Sequence, residues 1–109
     1  YRISQYYTWR HHGLDIAIAQ GTPVFASDPG VVVYSGWMSG YGYQVTIDHG
    51  NGLRTRYAHN SRLLVSTGER VQRGQTISLV GSTGRSTGPH IHYEVFANGV
   101  RVNPLTYLR

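Results

Sequence analysis

The sequence contains no cysteine and no lysine, and it has only five acidic residues. Without cysteine the chain can form neither disulfide bonds nor thiolate metal ligands, which is compatible with a protein exported by a bacterium. Without lysine it cannot carry covalently attached biotin or lipoate. It also lacks the run of about 18 apolar residues that a transmembrane helix requires. No signal peptide is recognisable, and the chain opens mid-pattern, so we expect a mature fragment or an excised domain.

The charge is one-sided, because ten arginines against five acids give a formal net charge of +5. A basic surface favours anionic partners such as nucleic acid, membranes or acidic cell-wall polymers. The arginines are scattered along the chain instead of forming a basic block. We therefore expect no nucleic-acid partner.

The chain length and the pattern of apolar residues predict a single all-β domain over residues 1–109. Alternating or β-branched runs recur every eight to twelve residues between glycine-containing turns, as in β-sandwiches and barrels. The predicted strands lie in "TPVFAS", "VVVYSGW", "YQVTIDH", "LRTRYAH", "GERVQRGQTISLVG" and "HIHYEVFANG". The Asn-Gly pairs at Asn51 and Asn98 predict tight hairpin turns. No segment of twelve or more residues keeps a helical apolar period.

Side chains that could bind a metal occur in three places. They are His11, His12 and Asp15 in "RHHGLDIA", His59 in "RYAHN", and His90 and His92 in "PHIHYE". Imidazole nitrogen and carboxylate oxygen are good zinc ligands, and a catalytic zinc usually has three protein ligands and a water. Because no cysteine is available, this set favours a catalytic over a structural metal site. Spacing alone does not choose between His11 and His12.

The residues from His90 to Val95 read as a strand with two different faces. Successive side chains of a strand point to opposite faces, so His90 and His92 share one face. Ile91, Tyr93 and Val95 share the other, which we predict to face the core. Gly13 argues against a helical turn between His11 and Asp15, so we expect that segment to be extended or bent.

Together the motifs resemble the LytM/lysostaphin-type zinc metallopeptidases, which cut peptide bonds in bacterial peptidoglycan. The matching stretches are "HHGLD", "GTPVFASDPGVVVYSG", "YGYQVTIDHGNG", "RYAHNSRLLVSTGERVQRGQTISLVG", "STGRSTGPHIHYEV" and "VNPLTYL". The resemblance runs from Ile3 to Leu108. It implies a single antiparallel β-sandwich or open barrel with a groove that holds one zinc ion per chain.

The resemblance also implies a role for each matching residue. His11, Asp15 and His92 would be the zinc ligands, and His59 and His90 the catalytic histidines that do not bind the metal. A metal-bound water would attack the peptide bond, and imidazoles suit both proton transfer and stabilisation of the oxyanion. Which histidine does which stays open. No H-E-x-x-H helix motif is present, so that metalloprotease mechanism is excluded.

The expected substrates are the cross-linking peptides of peptidoglycan, cut outside the cytoplasm of a bacterium by a monomeric domain that can belong to a larger protein. Glycyl-glycine and D-alanyl bonds both stay open as the bond that is cut. One alternative is a non-catalytic domain of the same fold that binds the wall or activates a hydrolase. A phosphohistidine carrier is a more distant alternative, because it would not explain Asp15.

Several neighbouring residues allow two readings. Glu94 shares the face of His90 and His92, so it is either a hydrogen-bond partner of a ligand histidine or a surface acid near an arginine. Tyr41 and Tyr43 either line the substrate groove or simply pack. His12 is expected to be a solvated neighbour of the site. His49, in "DHGNG", is expected to be a turn residue.

Overall fold

This computed structural model describes residues 2–5, 14–84 and 88–104, with side chains described from Asp15 onward, and these residues form ten β-strands. The strands are β1 (Arg2–Gln5), β2 (Leu14–Ala17), β3 (Pro23–Phe25), β4 (Gly30–Met38), β5 (Gly42–Gly50), β6 (Leu53–Leu63), β7 (Arg70–Val71), β8 (Thr76–Val80), β9 (His90–Ala97) and β10 (Val100–Val102). The described ranges hold no helix long and apolar enough to cross a membrane.

All strand pairs are antiparallel, which confirms the predicted fold class. The main path of the sheet runs β1–β2–β9–β6–β5–β4–β7. Strand β10 pairs with β9, and β8 joins β3 to β6. Strands β9 and β6 therefore lie side by side in the middle of the sheet, with neighbours on both sides. Residues on these two strands are the best placed to be covered from solvent.

Two hairpins turn at the predicted Asn-Gly pairs. Asn51 and Gly52 have φ angles of 52° and 79°, and Asn98 and Gly99 have 54° and 82°. Two consecutive positive φ angles are what a two-residue type I′ turn needs, and Asn-Gly provides them at low cost. Because this turn is so short, β5 continues through Gly50, and the prediction that His49 is a turn residue is wrong.

The core lies against one face of the central strands. Ile91, Tyr93 and Val95 of β9 are all buried, as the alternation predicts, and they pack with Val45 and Ile47 of β5. Full burial of each aliphatic side chain contributes about 1.5–3 kcal/mol. This packing fixes which face of β9 points inward, and it leaves His90, His92 and Glu94 on the opposite face.

Candidate metal and catalytic site

Strand pairing brings Asp15 and His92 together. Strand β2 lies antiparallel to β9 with Asp15 directly opposite His92. Residues directly opposite in such a pair have Cβ atoms about 4.5–5.5 Å apart, so short polar side chains can touch. Here Asp15 Oδ1 lies 2.6 Å from His92 Nδ1. Asp15 itself is extended, since it lies within a strand, whereas the rest of the segment predicted to be extended or bent, back to His11, lies outside the described residues apart from Leu14.

The other two candidates of the first motif, His11 and His12, lie outside the described residues. Of the three ligands that the family resemblance implies, the structure therefore describes Asp15 and His92. Among the side chains of the described ranges, no group of three histidine, aspartate or glutamate residues is arranged to hold a metal ion.

The hydrogen bonds of His92 define the state of its ring. Its Nε2 lies 3.0 Å from Glu94 Oε2. Both partners are carboxylates, which can only accept, so Nε2–H donates to Glu94 and the same argument places a proton on Nδ1, toward Asp15. Without a proton or a metal ion there, Nδ1 would present a lone pair to Asp15, which also has only lone pairs to offer. Such a contact is favourable only with a cation between or on the two atoms, whether a proton or a metal ion.

The electrostatics of the site agree with this geometry. Burial lowers the pKa of His92, but the hydrogen bonds and charges of Asp15 and Glu94 outweigh it and raise the pKa to about 9. Burial raises the pKa of Glu94, but the hydrogen bond and charge of His92, with smaller effects of Arg56 and Arg101, lower it overall. The two carboxylates thus create a position that favours positive charge.

Glu94 is the most deeply buried acid of the site, with a side chain only 2% exposed. Its carboxylate accepts a hydrogen bond from Arg56 at 3.2 Å and one from the Tyr41 hydroxyl at 3.2 Å, and Arg101 lies 3.6 Å away. The Arg56 guanidinium lies 4.8 Å from the ring centre of Tyr41 and 4.9 Å from that of Phe96. The surface reading of Glu94 is therefore wrong, because its carboxylate is almost fully buried and held by these partners.

His90 is held at its Nδ1 atom. That nitrogen lies 2.9 Å from the carbonyl oxygen of Gly88, which can only accept, so Nδ1–H is the donor. In the neutral ring the lone pair is then on Nε2, which lies 3.6 Å from Asp15 Oδ1. His90 thus presents Nε2 to the place where Asp15 and His92 meet, as the shared strand face predicts.

His59 reaches the same place through a β-bulge. Tyr57 pairs with Val45, but the next pair along the strands is Asn60 with Tyr43, so Ala58 and His59 together stand opposite Gln44. His59 has a φ angle of 64°. Strict alternation would send its side chain to the core face with Tyr57. Its ring instead lies 4.8 Å from the His90 ring and 5.8 Å from the His92 ring, centre to centre. The bulge re-aims this side chain.

Two hydrogen bonds hold His59 in its unusual conformation. Its backbone N–H donates to the Tyr41 carbonyl at 2.8 Å, and its Nδ1–H donates to the Thr83 carbonyl at 2.7 Å. The lone pair of the neutral ring is therefore on Nε2. Burial lowers the pKa of His59, the Thr83 carbonyl opposes this, and the nearby His90 and His92 lower it further. The net lowering of the pKa favours the neutral ring.

Tyr41 and Tyr43, for which two roles were considered, have different surroundings in the structure. Tyr41 belongs to the site, because its hydroxyl binds Glu94 and its ring centre lies 6.0 Å from that of His92. Tyr43 is 41% exposed and packs edge-on against Trp37, with ring centres 5.2 Å apart. The sequence reading missed Arg56 and Thr83 as site residues. Neither stands in a pattern that marks it, since both act through contacts with distant parts of the chain.

The fold and the site together define an antiparallel β domain with a centre of histidine and carboxylate side chains on its inner strands. Residues 9–104 match the family model described as Peptidase family M23. The chain belongs to this family, which confirms the LytM/lysostaphin-type resemblance of the sequence.

Curated relatives carry related names. The chain is 52% identical over 101 residues to the DD-carboxypeptidase/endopeptidase Mpg of Neisseria meningitidis serogroup B, which covers 92% of this chain and 23% of the relative. It is 39% identical over 99 residues to the murein hydrolase activator EnvC of Escherichia coli, which covers 91% of this chain and 24% of the relative. The chain thus spans about a quarter of the length of these relatives.

Solved structures share the fold. A zinc-containing peptidase from Vibrio cholerae superposes with a TM-score of 0.90 at 34% identity, over 94% of this chain and 35% of the other. The antimicrobial peptidase lysostaphin from Staphylococcus simulans superposes with a TM-score of 0.90 at 35% identity, over 99% of this chain and 49% of the other.

Proposed function

We propose that this chain is a zinc-dependent endopeptidase domain that hydrolyses peptide bonds in the cross-links of bacterial peptidoglycan. The observation that carries the proposal is the 2.6 Å contact between Asp15 Oδ1 and His92 Nδ1. The two atoms can lie this close only with a proton or a metal ion between them, and the other nitrogen of His92 is bound to Glu94. This is the arrangement in which a carboxylate orients a ligand histidine toward a metal.

The proposed zinc ligands are His11, Asp15 and His92. The donor chemistry of the two described residues fits zinc, which accepts imidazole nitrogen and carboxylate oxygen. When bound, zinc supplies a Lewis acid that polarises the peptide carbonyl and lowers the pKa of water. The protein contributes the orientation of His92 through Glu94, and Arg56 and Tyr41 hold that glutamate in turn.

His59 and His90 are the proposed catalytic histidines. Hydrolysis adds water across the C–N bond, so a base must take a proton from water and an acid must deliver one to the leaving amine. Both rings have Nδ1–H bound to a backbone carbonyl, so both offer Nε2 toward the site in the neutral state. The protonated form of either ring can donate to the carbonyl oxygen as negative charge develops there.

The proposed substrate and setting follow from the relatives and from the charge of the chain. Relatives named for DD-endopeptidase or murein-related activity support a peptidoglycan substrate met outside the cytoplasm. A net charge of +5 favours approach to a wall polymer that carries carboxylates and phosphates. Hydrolysis should accordingly slow as the salt concentration rises, because salt screens this attraction.

The proposal is tested by measuring zinc content and the hydrolysis of cross-linked muropeptides on the same samples. We expect about one zinc per wild-type chain. The metal and the activity should both be lost in Asp15→Ala and in His92→Ala. His49→Ala is the matched control, because that ring binds Pro29 and Thr55 away from the site. Retained zinc and activity in Asp15→Ala would contradict the metal assignment.

A non-catalytic activator is the second candidate, favoured by the similarity to EnvC. It predicts that the wild-type chain hydrolyses no muropeptide but increases the rate of a separate murein hydrolase added to the same assay. The presence of Asp15, His59, His90 and His92 in one cluster supports the enzyme over this alternative.

A further inference from the structure

We propose that Thr83 is a positioning residue whose hydroxyl fixes the orientation and the tautomer of His59. This inference rests on the proposed function, because it concerns a histidine to which that function assigns proton transfer. It assigns a role to Thr83, which follows strand β8.

Thr83 contacts both strands that form the bulge. Its Oγ1–H donates to the carbonyl oxygen of Asn60 at 2.6 Å, and the same oxygen accepts the backbone N–H of Tyr43 at 3.2 Å. Its own carbonyl oxygen accepts Nδ1–H of His59 at 2.7 Å. One residue therefore holds the backbone next to the bulge with its hydroxyl and the ring of the bulged residue with its carbonyl.

Close backbone packing limits where the loop can lie. A Cβ atom on Gly42 would come within 2.5 Å of both the carbonyl carbon and the Oγ1 of Thr83. A Cβ on Gly84 would lie 2.3 Å from the backbone nitrogen of Gly42. Only residues without a side chain allow this approach. The loop thus rests directly on the start of β5, and the Thr83 hydroxyl ties it there.

The Thr83 hydroxyl is important because it belongs to the same residue as the carbonyl that accepts Nδ1–H of His59. The position of that carbonyl therefore depends on the contacts of the hydroxyl. If the hydroxyl is removed, the buried acceptor Asn60 O and the donor Tyr43 N–H both lose a partner, which favours a shift of the loop. Once the carbonyl of Thr83 moves, Nδ1–H of His59 loses its acceptor. The ring can then place its proton on either nitrogen, and Nε2 no longer always carries the lone pair that faces the site.

The experiment compares Thr83→Val, which keeps the shape but removes the hydroxyl, with Thr83→Ser, which keeps the hydroxyl. Thr67→Val is the matched control, because its hydroxyl accepts only a surface N–H, that of Ser35, among the described contacts. For each zinc-loaded protein, ¹⁵N NMR of the imidazoles reports the tautomer of His59. Steady-state kinetics on a cross-linked muropeptide and zinc content are measured in parallel.

We expect Thr83→Val to keep its zinc and to lose about tenfold or more in kcat, with little change in KM. The NMR signals of His59 should change from the pattern of a ring protonated at Nδ1 to that of a mixture. Thr83→Ser should restore most of both properties, and Thr67→Val should match the wild type. A Thr83→Val protein with unchanged kcat and an unchanged His59 tautomer would overturn the inference.

The tautomer of His59 in the wild type is a second test of the inference, and it can be measured even if Thr83→Val fails to fold. A wild-type His59 that carries its proton on Nε2 would overturn the inference without any variant. Failure of the proposed function looks different, because the wild type would then lack zinc or hydrolysis whatever the tautomer of His59.

Discussion

Strands β9 and β6 both supply histidines to the same small volume, but they do so in different ways. Strand β9 is regular, and simple alternation places His90, His92 and Glu94 on one face. Strand β6 is irregular, and a bulge with a positive φ angle turns His59 away from the face that alternation would give it. Regular pleating is held by the sheet as a whole, whereas the bulge needs specific contacts.

The two strands also differ in the free-energy cost of their conformations. A residue other than glycine in the left-handed region costs about 1–3 kcal/mol, which the surroundings have to offset. At His59 they do so by accepting two hydrogen bonds, one from its backbone N–H at the Tyr41 carbonyl and one from its Nδ1–H at the Thr83 carbonyl. On β9 none of the residues has a positive φ angle. The free-energy cost there is instead the burial of the charged Glu94 side chain. Damage at His92 or Glu94 of β9 should therefore affect the metal, whereas damage around His59 of β6 should affect turnover.

The largest effect is expected from Glu94→Gln, which tests the β9 half of this comparison. The variant keeps the shape but removes the charge that Arg56 and His92 face, and breaking a buried pair costs about 3 kcal/mol. Loss of a carboxylate that orients a ligand histidine should also weaken zinc binding about 10–100-fold. Urea unfolding and competition with a zinc chelator measure the two effects.

Glu69→Gln is the matched control for that experiment, since Glu69 is exposed and accepts a hydrogen bond from Ser66 within its own turn. Its stability and zinc affinity should stay near those of the wild type. Equal behaviour of the two variants would show that Glu94 does not orient His92.

The next largest effect is expected from Gly42→Ala, which tests the β6 half. A methyl group there would meet Thr83 at 2.5 Å, and the φ angle of +67° disfavours any side chain. We expect a loss of about 2 kcal/mol in stability. Because the loop that holds His59 must move, kcat should fall while zinc stays bound.

Gly40→Ala separates the effect of backbone strain from the effect of the contact with Thr83. Gly40 has a φ angle of +84°, but nothing lies within 4 Å of an added Cβ. This variant should lose stability through backbone strain alone and keep its kcat. If Gly40→Ala and Gly42→Ala reduce kcat equally, close packing of the loop against β5 is not what positions His59.

The same comparison explains how far the sequence could be read. Alternation and Asn-Gly turns are local signals, so the core stripe from Ile91 to Val95, the hairpins and the shared face of His90 and His92 could all be predicted. The bulge at His59 and the burial of Glu94 could not. Both depend on partners far away in the chain, 24 residues for Thr83 and His59 and 38 for Arg56 and Glu94.

A smaller effect is expected from Tyr41→Phe, because Tyr41 serves both strands through different atoms. Its hydroxyl donates to Glu94, whereas its backbone carbonyl accepts the N–H of His59. The substitution removes only the first contact, so we expect about 1 kcal/mol less stability and a modest loss of zinc affinity. The tautomer of His59 should not change. Tyr34→Phe, which removes an exposed hydroxyl bonded to Trp37, is the control.

The smallest effect is expected from Arg54→Gln. Arg54 neighbours Arg56 on the polar face of β6, but it pairs only at 3.5 Å with Asp48, and both side chains are exposed by a third or more. Such pairs contribute about 0.5 kcal/mol or less, and salt screens them further. Urea unfolding should show almost no change, and zinc content and kcat should match the wild type. A loss of activity here would mean that the functional surface extends along β6 beyond Arg56, and that the bulged strand contributes more than His59.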